Sequence, residues 1–155
     1  MKQTLILLFF AAAGIAAAAD PPGFVHWRAA DLKAETGKLA AKVGEKKLAT
    51  AGLGKFSHHA VLLTHRQGNG EVEVHEAQAD VFVVQSGEAT LVTGGEVVDG
   101  RTTAPGEIRG TAIRNGEKTR MAAGDILHIP ARMPHQVLME SDTQFTYVIL
   151  KVNVK

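Results

Sequence analysis

The stretch that decides the fold is "EVEVHEAQADVFVVQSG", Glu71 to Gly87. In a strand, Glu73 and His75 share one face while Val72 and Val74 take the other, because successive side chains alternate. Alone, that alternation is the ordinary pattern of a strand with one wet face. Asp80 shifts the reading. It shares its strand face with Phe82 and Val84, where a carboxylate is costly to bury unless a cation or hydrogen-bond donors meet it.

Outward from this stretch the chain stays strand-like. After Gly52 come short apolar-rich runs, among them "HHAVLLTHR", "EIRGTAI", "EKTRMAAGDILHIP", "HQVLM" and "FTYVILKVNV". Turn-forming pairs separate them: Gly68-Asn69-Gly70, Gly94-Gly95, Asn115-Gly116 and Gly124-Asp125. Turns at intervals of about 8 to 12 residues, with β-branched and aromatic runs between, predict an all-β sandwich or barrel. The irregular stretch 94–110, with Pro105 and five glycines, reads as a lid over a barrel mouth or as a surface hairpin. Upstream, "DLKAETGKLAAKV" predicts a short N-terminal helix capped by Asp31, with Leu32, Leu39 and Val43 near helical spacing. The expected division is a leader over 1–19, an N-terminal segment with the helix over 20–52, and a β-barrel domain over 53–155.

The leader reading rests on Lys2, the apolar run Thr4 to Ile15, and Ala17-Ala18-Ala19 before Asp20. These are the parts of a secretory signal peptide, so a periplasmic or secreted address is expected, with no membrane association after cleavage. The chain of 155 residues has no cysteine, which excludes a disulfide staple and leaves packing or metal to hold an exported domain. Without Lys2 the 17 basic residues become 16, against 16 acidic ones. That balance lacks the basic excess of a nucleic-acid binder, and nucleic acid is excluded as a partner.

A second stretch, "GDILHIPARMPHQ", Gly124 to Gln136, completes the pattern. Together the two stretches resemble the paired motifs of the cupin superfamily, small β-barrels with a metal at the centre. The first cupin motif runs His-x-His, three or four residues, Glu, six residues, Gly. Here Glu73, His75, Asp80 and Gly87 stand at those positions. The second runs Gly, five residues, Pro-x-Gly, two residues, His. Here Gly124, Pro130, Arg132 in place of the usual glycine, and His135 stand there, with Met139 where an asparagine is often found. The resemblance covers roughly residues 55–152 and is specific in spacing, looser in identity.

The resemblance implies a double-stranded β-helix (cupin, jelly-roll) barrel, with Glu73, His75, Asp80 and His135 as metal ligands. Two imidazoles with one or two carboxylates suit one divalent transition metal. Manganese or zinc is favoured, with iron, nickel or copper also compatible. In a cupin that has lost its metal, Asp80 would instead anchor a turn and His135 would be a pocket hydrogen-bonder. Candidate substrate-pocket residues are His65, Phe82, Arg109 and His128, with Arg109 read either as a fork for a substrate carboxylate or as a solvated loop charge. On the strand carrying His59 and His65, the opposite face, with His58, Ala60, Leu62 and Thr64, is equally open as the inner one. Cupins host many chemistries, so the motifs give a site without a reaction. The expected function is an exported metal-binding cupin acting on a small oxygenated metabolite. The alternatives are a non-catalytic binding module and a structural dimer with a merely packed barrel. A homodimer is expected, because exposed strand edges otherwise remain unpaired.

Overall fold

A computed structural model describes residues 21–140 and 143–154; the leader read over 1–19 lies outside the described residues. The chain order is α1 (Ala29–Lys42), β1 (Leu48–Lys55), β2 (His59–Arg66), β3 (Val72–His75), β4 (Gln78–Thr93), β5 (Glu96–Val98), β6 (Arg101–Ala104), β7 (Glu107–Gly110), β8 (Ala112–Arg114), β9 (Glu117–Ala122), β10 (Ile126–Ile129), β11 (His135–Leu138) and β12 (Phe145–Asn153). The architecture is all-β with one short helix, as the sequence predicts. Every strand pairing is antiparallel, and ten strands form one curled sheet in the order β1-β2-β12-β4-β11-β3-β7-β6, with β9 and β10 also paired to β4.

Strand β4 makes the curl. Its first half pairs with β12 and β10, and its second half with β9 and β11. The change of partners falls at Gln85 to Glu88, which are exposed, and the β12 register slips there between Thr146 and Tyr147. Gly87 sits at this corner with φ 78° and its α-carbon against the backbone of Gln144 and Phe145. The glycine of the first motif is therefore a steric requirement of the bend.

Two clusters fill the interior. Phe82, Val84, Leu91, Met121, Ile129, Phe145 and Tyr147 form the barrel core. On the outer face of β1, β2 and β12, Leu39 of the helix joins Val61, Leu63 and Val148, with Trp27 and Phe56 packed alongside. Burying these side chains contributes roughly 1.5–3 kcal/mol each, which explains why a helix with an interior Gly37 is retained.

Three expectations need correction. The helix starts at Ala29 with Arg28 as N-cap and no side-chain cap bond; Asp31 lies in the first turn, where its charge favours the helix dipole. The sheet starts at Leu48, ahead of residue 53, because Leu48 to Lys55 pair along β2. Of the two readings of 94–110, the hairpin holds and the lid does not: β6 pairs with β7 as an exposed hairpin that extends the barrel wall, and β5 pairs with β8. No helix among the described residues is long and apolar enough to cross a membrane.

Candidate metal centre

Cross-strand pairing assembles the site. His135 faces Glu73 across β11 and β3, while Glu73 faces Arg109 and His75 faces Glu107 across β3 and β7. Asp80 faces Lys151 across β4 and β12. Directly opposed side chains in a sheet touch, so residues far apart in sequence become neighbours. The backbone N–H of Arg132 donates to the His75 carbonyl at 2.8 Å and ties the second motif to the first. Arg132 holds φ 67°, the left-handed region that explains the usual glycine.

Glu73, His75, Asp80 and His135 each present a ligand atom, and those atoms lie within 4.8 Å of one another. His75 Nε2 is 3.2 Å from Glu73 Oε2 and 3.5 Å from Asp80 Oδ2. His135 Nε2 is 3.7 Å from Asp80 Oδ2 and 3.9 Å from Glu73 Oε2. His135 donates from Nδ1 to the Met133 carbonyl at 3.1 Å, which leaves Nε2 as a lone pair aimed into the cluster. That atom is buried and has no hydrogen-bond partner among the described residues. Glu107 takes the Nδ1 proton of His75 at 2.8 Å and is braced by Arg109 at 2.9 Å. A carboxylate behind a ligand imidazole fixes its tautomer and orientation.

Lys151 stands inside this ring. Its Nζ lies 2.9 and 3.0 Å from the Asp80 oxygens and 3.0 Å from His75 Nε2. The ammonium thus holds the position between donors that a metal cation would take. The donor set fits a divalent transition metal in number, type and convergence, provided that the lysine withdraws.

The titrating groups carry the same message. Burial alone would push the Glu73 carboxyl up, but the His75 hydrogen bond and the Arg109 charge bring it down to about 2. Burial likewise opposes ionisation of Asp80, and His75 and Lys151 together hold it below the usual range. Burial pushes the His135 imidazole below its ordinary value. At His75, burial is outweighed by hydrogen bonds to Asp80 and Glu73, which raise it to about 9. His75 therefore has two states: protonated at Nε2 it bridges the carboxylates, and unprotonated there it accepts from Lys151.

A pH optimum follows for the metal-free protein. His75 is raised above its ordinary 6.5, so its contribution is complete below 6.5 and is lost as pH climbs through about 9. His135 is lowered by burial, so stability falls as pH drops below 6.5 and the unfolded chain takes that proton. Below 4.5 Glu73 adds a further loss toward about 2. Thermal melts across pH 4 to 9.5 in chelator are expected to peak near 6.5. Repeated with manganese, they should lose the alkaline decline, because a ligating His75 carries no Nε2 proton.

A cavity of about 160 Å³ adjoins the cluster, lined by Glu73, Phe82, Arg109, His135, Tyr147 and Lys151 together with Thr64 and Arg66. Phe82 meets the His135 ring edge-on at 6.3 Å. Two expected pocket residues lie elsewhere. His65 faces the helix side, where Nδ1 bonds Thr146 Oγ1 at 2.9 Å; the inner face of β2 is the Leu62, Thr64, Arg66 face. His128 is exposed on β10, since Leu127 and Ile129 take the inward direction. Sequence reasoning missed Lys151, Arg66 and Tyr147 and gave Glu107 no role at the site, whereas Phe82 and Arg109 line the cavity as expected.

Neither a protein-family model nor a curated protein matches the sequence. Solved structures do match in fold. A double-stranded β-helix domain protein from Klebsiella pneumoniae subsp. pneumoniae MGH 78578 superposes with TM-score 0.53 at 20% identity, over 71% of this chain and 80% of its own. A protein from Thermus thermophilus gives 0.55 at 20% identity, over 77% of this chain and 94% of its own. DMSP lyase DddQ from Ruegeria pomeroyi DSS-3 gives 0.51 at 16% identity, over 69% of this chain and 47% of its own.

Proposed function

From the double-stranded β-helix fold of the cupin superfamily, we propose that the chain is a mononuclear metal-binding protein that holds a small oxygenated metabolite in the barrel. One observation carries this reading: the buried, unpartnered His135 Nε2 converges with Glu73, His75 and Asp80 in one coordination-sized space. The donor set favours manganese or zinc, with iron, nickel or copper compatible. A bound divalent ion would supply Lewis acidity toward an oxygen of the metabolite.

The protein's own groups do the rest. Glu107 and Arg109 hold the His75 ring in register. Phe82, Leu62 and Ile149 line the cavity and limit water there. Glu73, ionised down to about pH 2, is an acceptor of hydrogen bonds and a weak proton base. The cavity is below the ~300–1,000 Å³ of drug-sized ligand pockets, so the ligand is small.

A second reading has its own observation. Lys151 already supplies a cation between the donors, so the barrel can also serve as a metal-free module that captures a small molecule without turnover. In either reading the chain acts outside the cytoplasm, a proposal supported by the leader-like residues 1–19. Homodimerisation is supported by β10, a strand paired only with β4 that exposes Ile126 at 71%.

Elemental analysis of the purified protein tests the metal reading. About one transition metal per chain is expected in the wild type, with loss of it and a lower melting temperature in His75→Ala and His135→Ala. Equal content in all three removes the assignment, and an empty wild type that refuses added manganese and zinc favours the second reading.

A further inference from the structure

Arg66 ends β2 on the inward face and is only 6% exposed. A guanidinium buried to this degree normally meets a carboxylate, since an uncompensated buried charge is costly. Here Nε has no partner among the described residues. One terminal nitrogen reaches the Gly68 carbonyl and the other the Tyr147 hydroxyl, both at 3.5 Å, the limit of a hydrogen bond. The two carboxylates that line the same cavity are engaged elsewhere: Glu71 pairs with Arg101, and Glu73 with His75.

The fork is also held in place. A Cβ on Gly70 would stand 2.8 Å from one guanidinium nitrogen and 3.2 Å from Cζ, so the backbone at Gly70 lies directly against it. Arg66 and the metal cluster line the same cavity. By strand register Arg66 is level with Phe145, whereas Lys151 is level with Ala60, so the two cations stand toward opposite ends of the inward-facing row.

We propose that Arg66 is a carboxylate-binding site, and that the ligand is a small hydroxy or oxo acid whose carboxylate is forked by Arg66 while its other oxygen faces the Glu73–His135 end. The second half of this assignment rests on the metal reading above; the first half does not. A planar carboxylate accepts two parallel N–H bonds from a guanidinium, which supplies both the charge and the geometry that Arg66 lacks. Tyr147 adds a hydroxyl at the same place.

Malate and lactate, each against its uncharged amide, are titrated calorimetrically into wild type, Arg66→Met, Arg66→Lys and Gly70→Ala. Each protein is used both chelator-treated and manganese-loaded, with metal content measured on the same samples. Wild type is expected to bind at least one acid ten times or more tighter than its amide. The preference should fall to about one in Arg66→Met, survive partly in Arg66→Lys, and weaken in Gly70→Ala, where the fork is displaced and the charge kept. Metal-free Arg66→Met is expected to melt no lower than wild type, because it loses an unpaired buried charge. If it fails to fold, the lysine and Gly70 variants carry the test. An acid preference unchanged in the Arg66 variants, or absent from wild type, overturns the assignment. A wild type that takes up no metal in the manganese arm but shows an Arg66-dependent preference keeps the assignment and sinks the metal reading; metal uptake without preference does the reverse.

Discussion

Lys151→Met is expected to tighten metal binding by about 100-fold. The ammonium and a metal ion contest the same atoms, both Asp80 oxygens and His75 Nε2, at 2.9–3.0 Å. Wild-type protein must therefore break the Lys151–Asp80 pair before it can coordinate. Breaking a buried pair costs roughly 3–5 kcal/mol, and the partial exposure of the lysine reduces that. A remaining ~2.7 kcal/mol corresponds to the 100-fold change. Methionine keeps the apolar stem and removes the charge, so Asp80 loses its internal counter-ion. The metal-free variant should melt below wild type, and saturating manganese should raise its melting temperature by more than it raises that of wild type. Equal affinities would show that the lysine does not hold the cation position in solution. Weaker binding by the variant would make Lys151 a support for the ligands.

Gly87→Ala is expected to abolish the folded protein. Its φ of 78° costs any L side chain about 1–2 kcal/mol. The added Cβ would also collide with the Gln144 carbonyl oxygen and stand 2.9 and 3.1 Å from Gln144 C and Phe145 Cα, all backbone atoms of the neighbouring segment. Backbone cannot rotate aside as a side chain can, so the strand corner must open. Against a total stability of roughly 5–15 kcal/mol, that loss leaves little native protein. Gly94→Ala is the matched control, because Gly94 has φ 71° and nothing within 4 Å of a built Cβ. It should cost only the backbone term, a shift of several degrees in melting temperature. Comparable losses at both positions would remove the steric account of the corner.

The barrel and the four converging donors were legible because spacing encodes them. Glu73, His75, Asp80, Gly87, Gly124 and His135 stand at fixed separations that a bent β4 and its neighbours require. What escaped lies where alternation carries no phase. In "FTYVILKVNV" both faces of β12 are covered, by the barrel interior on one side and the helix-side cluster on the other, so Tyr147 and Lys151 do not stand out from Val148 and Leu150. The same holds for β2. His65 and Arg66 are both buried, on opposite faces, and the sequence pattern is symmetric between them. Arg109 was legible as a pocket candidate, but its neighbour Glu107 was not, because only the pairing of β7 with β3 places it behind His75.

One consequence follows from the length of β4. A sixteen-residue strand that serves both halves of the sheet leaves no seam along which they could part. Amide protons on β12 and on β11, although they belong to different halves, should exchange with solvent only through the same global opening event. The covered interior would then be reached through the mouth of the barrel and never by splitting its wall.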